Sequence, residues 1–224
     1  MPRTARSIRA GICYHVLNRS NGGGKVFLDA LDYRIFMRLA FASAARFDVQ
    51  VLALCLMPNH FHFVLRPPAD DALALWAHWL TTSHVHRQRR RYGHIGHLWQ
   101  GRFKAFPVQD DRYLFTVMRY VERNALRAGL VTRAEDWPWC SLALRIGSCA
   151  ESCGDLTPLG LPEDWTLRVN ATETEGELAA LRRSVSRGAP YGDAQWSREV
   201  AEQLGLAHAL RGPGRPSKGS SPTV

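Results

Sequence analysis

Residues Leu56–Pro67 read LMPNHFHFVLRP. Pro58-Asn59 is a turn signal between two apolar runs, DVQVLALCLM and HFHFVLRP. Two such runs joined by a tight turn predict a β-hairpin. In a strand, residues i and i+2 point to the same side. His60 and His62 therefore share a face, and Phe61 and Phe63 turn to the other, toward a core. Two same-face imidazoles can chelate one divalent cation, but the same pattern also suits the polar face of a half-exposed strand. His84-Val85-His86 repeats the spacing at the end of a predicted helix. There, i and i+2 lie about 200° apart around the axis. His84 and His86 are thus not expected to share a metal, and are assigned to a basic surface.

Working outward, Tyr14–Arg19 (YHVLNR) predicts a strand, and SNGGG a turn after it. Asp29 opens a helical pattern to Arg46, with Leu31, Ile35, Phe36, Leu39 and Ala40 on one face. Beyond the hairpin, Asp70 can cap a helix carrying Leu73, Leu75, Trp76, Trp79 and Leu80. That helix runs into the basic loop RQRRRYGHIGH. KAFPVQ predicts a last strand, and DDRYLFTVMRYVERNALRAGLV a helix that opens on acids and closes at Gly129. The order predicts an α+β fold of the ferredoxin-like split βαβ kind, an antiparallel sheet with helices on one face. The last helix is expected to pack against the sheet next to the hairpin. After Val131, EDWPWCSL is aromatic and turn-rich, 147–162 suggests a loop, and ELAALRRSVSRG and AQWSREVAEQLGL suggest two helices. These make either a DNA-binding appendage or a cover for the main core. The chain thus divides into 1–131, a helical extension 132–210 and a basic tail 211–224, too poor in hydrophobics to be expected to fold.

The 224 residues are 46% hydrophobic, enough for one good core. No apolar run is long enough to span a membrane, and the basic N-terminus lacks the apolar stretch of a secretory signal, so a cytoplasmic protein is expected. Five cysteines at irregular spacing suggest no disulfide framework, and Cys149 and Cys153 lack the second pair of a structural zinc site. Lysine and arginine number 29 against 20 acids, a net charge of +9. From Ala72 to Gln109 there is no acid, while Arg87, Arg89, Arg90, Arg91, Arg102 and Lys104 fall in that stretch. Solvated helix faces usually interleave both signs, so a polyanionic partner, nucleic acid, is favoured.

Tyr120 and Asn124 lie four apart on the predicted last helix and share a face. Tyrosine can serve as a covalent nucleophile, and an asparagine carbonyl can complete a hard-cation shell. An isolated pair of this kind is more often part of an ordinary amphipathic helix. Tyr113 is a competing tyrosine, with Val117 where its asparagine would be. A third alternating histidine is absent, Val64 standing there, so the histidine pair needs another ligand from elsewhere.

MPNHFHFVL, GHLWQGRFKAFPVQ and YVERNALRAGLV occur in that order, with YHVLNRSNGGGKVF before them and EDWPWCSL and GRPSK after. In this the chain resembles REP-associated tyrosine transposases, of the single-tyrosine HUH transposase family. The resemblance implies that His60 and His62 are metal ligands and that Asn124 is the third, for Mg²⁺ or Mn²⁺. It implies that Tyr120 attacks a phosphate of single-stranded DNA, forming a 5′-phosphotyrosine and freeing a 3′-OH, at palindromic-repeat hairpins. Transposition of the protein's own gene is not implied. Monomer and homodimer both remain open. Asn124-Ala125 replaces the family's Asn-Pro, and without the proline's restriction the helix is expected to run on more regularly. A hairpin-binding protein that no longer cuts, and a nuclease using water, are the competing readings.

Arginine and lysine of the basic segment would neutralise phosphates. Trp99, Phe103 and Tyr92 could stack on unpaired bases, although Trp99 suits a core equally. Gln100 could meet a base edge and Arg102 a phosphate. Asn18 and Arg19, beside the glycine turn, are further candidates. Gly214-Arg215-Pro216 resembles a minor-groove hook, which makes Arg215 a candidate DNA contact.

Overall fold

The computed structural model describes residues 8–93, 96–148 and 154–211. Strands β1 (Cys13–Arg19), β2 (Gln50–Met57), β3 (His60–Arg66) and β4 (Lys104–Val108) form one antiparallel sheet, in the order β2-β3-β1-β4. Helices α1 (Ala30–Arg46) and α2 (Ala72–Tyr92) supply the two crossovers of the split βαβ unit. Asp29 caps α1 by accepting from the Asp32 amide, 3.1 Å. Tyr14, Val16, Leu54, Phe61, Phe63 and Leu65 meet Phe36, Met37, Leu73 and Trp76 in the core beneath these two helices.

The sequence predicts helices on one face only, but the opposite face is covered as well. Helix α3 (Arg112–Glu122) packs there, against β2 and β3 as expected, burying Leu114, Val117, Met118 and Val121 against Leu52, Cys55, Val64 and Phe106. The physical reason is visible in β2: every residue from Val51 to Met57 is buried. A strand apolar on both sides must be sandwiched rather than half solvated. A register shift between Val51 and Ala53 keeps Val51 and Leu54 on one face, although they are three apart.

Beyond α3 come the short helices α4 (Asn124–Arg127), α5 (Ser141–Arg145), α6 (Trp165–Asn170), α7 (Glu175–Arg187), α8 (Ala194–Gln203) and α9 (Ala207–Leu210). Trp165, Val169 and Leu181 join the core beneath α3, so the extension covers that core. It also lines the sheet's outer strands. Trp139 and Ser141 hydrogen-bond the backbone of Leu56 and Leu54, and Tyr191 bonds Pro107 and Gln109 at β4. The helix does not run on through Asn124. It stops at Glu122, turns at Arg123 and resumes for one turn, so the missing proline does not straighten it. Gly129, at φ +68°, closes the segment in the left-handed conformation that glycine adopts freely.

Candidate active site

β1 and β3 are adjacent and antiparallel, with Leu17 opposite His62 and Arg19 opposite His60. His15, His60 and His62 therefore line the same face, the one under α3. Sequence reasoning passed over His15, which is fully buried. Its Nε2 lies 2.9 Å from His62 Nδ1, and the two rings are stacked. Asn59 acts similarly on His60, its Oδ1 lying 2.7 Å from His60 Nδ1. The Asn59 amide nitrogen donates to the Gly23 carbonyl, 2.8 Å, so that oxygen can only accept. His60 Nδ1 thus carries the proton, and Nε2 keeps its lone pair. His62 reaches the same state when its Nδ1–H donates to His15.

Burial first, then the Arg19 and Arg127 charges, pushes the His60 pKa down to about 4. Burial, followed by the neighbouring imidazoles and Arg127, holds His62 well below its usual value, and burial pushes His15 down to about 3. The pair is neutral at physiological pH, as metal ligation requires. An Nε2 lone pair with a partner behind it, as at His60 and at His62 in the tautomer that donates to His15, is the arrangement seen around metal-binding histidines, and in this respect the residues fit a divalent cation. Among the described residues no group of three His, Cys, Asp or Glu side chains is arranged to hold a metal ion by itself.

Tyr120 comes down from α3 onto this face. Its ring centroid is 6.2 Å from that of His62 and 6.1 Å from that of His15, and perpendicular to His62. One chain thus brings tyrosine and histidines together. Tyr113 is elsewhere, its ring against Tyr191. Asn124 is buried beside Tyr120, but its Oδ1 accepts from Arg127 Nη2 at 2.7 Å and its amide points back to the Tyr120 carbonyl. The oxygen expected to bind metal already carries one hydrogen bond.

The remaining candidates separate into exposed and spent residues. Arg19, Gln100, Arg102, Lys104, Arg87, Arg89 and Arg90 are exposed. Gln100 lies beside the end of β1, its amide bonding the Arg19 carbonyl, and Lys104 stands opposite Leu17. Arg91 is paired with Asp29 and Asp32, 2.6 and 2.7 Å, because the start of α1 supplies the acids its own segment lacks. Trp99 is buried among Phe27, Phe36, Phe61 and His84 and cannot stack on a base. Phe103 is buried too, while Tyr92 stays exposed. Asn18 is 5% exposed and bonds the Gly101 carbonyl and the Arg19 amide. With Arg102 it lines a cavity of about 640 Å³ under α2, away from the histidines. His84 is a core residue rather than part of a basic surface. Arg215, Cys149 and Cys153 lie outside the described residues.

The sequence model of the family described as "Transposase IS200 like" matches residues 9–124, just over half of the chain. The chain belongs to the IS200-like transposase family. A Haemophilus influenzae protein that carries the name REP-associated tyrosine transposase is 26% identical over 146 residues, 60% of this chain and 77% of that one. A solved structure of a REP-associated tyrosine transposase bound to a REP hairpin superposes with a TM-score of 0.55 at 18% identity, covering 71% of this chain and 96% of that one. That likeness supports the fold. A Deinococcus radiodurans transposase structure, 16% identical, covers 67% of this chain and 99% of that one at a TM-score of 0.32, too low to carry an argument.

Proposed function

We propose that this transposase-family protein is a metal-dependent transesterase that nicks and rejoins single-stranded DNA at palindromic-repeat hairpins. The observation that carries the reading is the packing of Tyr120 against a strand face bearing two neutral histidines with oriented Nε2 atoms. His60 and His62 would hold Mg²⁺ or Mn²⁺, with Asn124 Oδ1 as third ligand through its second lone pair. When bound, such an ion polarises a phosphate oxygen. The Tyr120 oxygen would form a bond to phosphorus as the P–O3′ bond breaks, leaving a 5′-phosphotyrosine and a 3′-OH. Attack by a 3′-OH on that ester would rejoin the strand. Exposed Arg19, Gln100 and Lys104 edge the histidine face and suit a DNA backbone, and Arg87, Arg89, Arg90 and Arg102 are further exposed cations that could meet phosphates. A hairpin substrate is suggested by the DNA bound to the structural relative.

The test is cleavage of end-labelled single-stranded hairpin oligonucleotides with Mn²⁺ or Mg²⁺. A protein–DNA adduct on denaturing gels, lost in Tyr120→Phe and in His62→Ala, is expected. Cleavage without an adduct that survives Tyr120→Phe would mean hydrolysis. Binding without cleavage would leave a hairpin-binding protein, a second reading that the engaged Asn124 oxygen favours.

A further inference from the structure

Arg127 lies just outside the residues matched by the family model, yet it touches both Tyr120 and Asn124. Its Nη1 is 3.0 and 3.1 Å from the two Glu173 oxygens. Its Nη2 donates to Asn124 Oδ1 at 2.7 Å and reaches the Tyr120 carbonyl at 3.4 Å. Its Cζ lies 4.1 Å from the centre of the Tyr120 ring. One guanidinium therefore touches the nucleophile and the third ligand while a carboxylate from the extension holds its other end.

That carboxylate is not a casual surface partner. Glu173 is 8% exposed, in the linker between α6 and α7. Arg123 Nε also approaches it, at 3.6 Å, and Arg123 Nη1 bonds the Val169 and Asn170 carbonyls. The linker is thus fastened to the turn where α3 breaks into α4. The break gives the fastening a place to act. An unbroken helix would fix Tyr120 and Asn124 relative to each other through its own hydrogen bonds, whereas here the Arg123 turn separates them. The planar fork of arginine can bridge two partners rigidly, and lysine cannot.

We propose that Arg127 is a positioning residue for the tyrosine reaction, and that Glu173 of the C-terminal extension sets where its guanidinium points. The extension then completes the active site as well as covering the core. This rests on the transesterase reading above. Misplacing a reacting group by about 1 Å can cost about a hundredfold in rate.

The experiment uses the full chain and compares wild type with Arg127→Lys, Glu173→Gln and Arg127→Met. It reads the rate of adduct formation at saturating hairpin DNA, the DNA concentration giving half that rate, and the melting temperature. Lysine keeps the charge facing Glu173 but cannot also reach Asn124. Arg127→Lys is therefore expected to melt near wild type and bind DNA normally, yet form adduct about 10- to 100-fold more slowly. Glu173→Gln should slow the same step without changing half-saturation. If Arg127→Lys and Glu173→Gln react at the wild-type rate while Arg127→Met only melts lower, Arg127 is structural and the proposal is overturned. A loss confined to half-saturation would make Arg127 a DNA contact and overturn it equally. A wild-type protein that forms no adduct would overturn the transesterase reading first, and the positioning role with it.

Discussion

On β3, His60 and His62 stand side by side, ring centroids 4.9 Å apart, each with a hydrogen-bond partner at Nδ1. On α2, His84 is buried against Phe27, Phe36 and Trp99, while His86 is exposed. Both stretches are His-x-His. The strand puts two like side chains on one face, and the helix sends them to different environments. His84 bonds Gln88 one turn on, but its Nδ1 is buried without a partner, and among the described residues no second imidazole joins it. Spacing carries chemistry only once the backbone period is known, and residues behind the pair decide which nitrogen is presented.

The comparison would break first at the metal. His62→Ala should lower adduct formation about a thousandfold, since a metal contributes several kcal/mol at such a step and each 1.36 kcal/mol is tenfold. His86→Ala should remain within about twofold. Equal losses in both variants would deny the strand pair any special role. His15→Leu sharpens the point, because it spares both proposed ligands and removes only the partner of His62. Mn²⁺ affinity, measured by calorimetry, should fall about 10- to 100-fold. Nitrogen NMR of labelled histidine should show His62 losing its preference for the Nδ1–H form. An unchanged tautomer and affinity would make His15 mere packing.

The helical pair should reveal itself through pH. Burial pushes the His84 pKa down to about 4, partly opposed by Asp32. Its folded pKa thus lies below the unfolded value of about 6.5, so the unfolded chain takes up the proton first as pH falls. The stability tied to neutral His84 is complete above about pH 6.5 and declines toward pH 4, by at most about 3 kcal/mol. Urea unfolding between pH 7 and 4.5 should show a shallower pH slope in His84→Gln than in wild type, and an identical slope would contradict the buried, neutral state. The smallest effect concerns the end of the same helix. Arg89→Ala should weaken hairpin binding a few-fold and reduce the salt slope by about one. Arg91→Ala should leave that slope alone and lower the melting temperature, because it deserts Asp29 and the buried Asp32.

Much of this was legible in the chain. Alternation in HFHFVLR set the histidine face, and the order of elements gave the split βαβ unit. The second covered face was not expected, although VLALCLM, a run without alternation, carries its signal. What stayed hidden came from residues remote in sequence. The 47-position separation of His15 and His62 gave no sign that the imidazoles meet. The acids that neutralise Arg91 are about 60 positions upstream. Trp99 looks the same on paper whether it faces bases or the aromatic core, and only packing against Phe36 and Phe61 decides it. Glu173 reaches Arg127 from a segment whose composition suggested only a cover.

The lining of the outer strands bears on how copies of this chain can meet. Along β2, the Leu54 and Leu56 amides are already engaged by Ser141 and Trp139. At β4, Pro107 has no N–H to offer, and Tyr191 holds its carbonyl and the Gln109 amide. A sheet closed off in this way gives a second molecule little ladder to extend. Any self-association is left to helices and loops, and a tyrosine lent to a neighbour's histidines would require α3 to swing out while every strand stayed in place. The same shielding denies partly folded chains a template on which to stack, a useful property in a protein with so apolar a central hairpin.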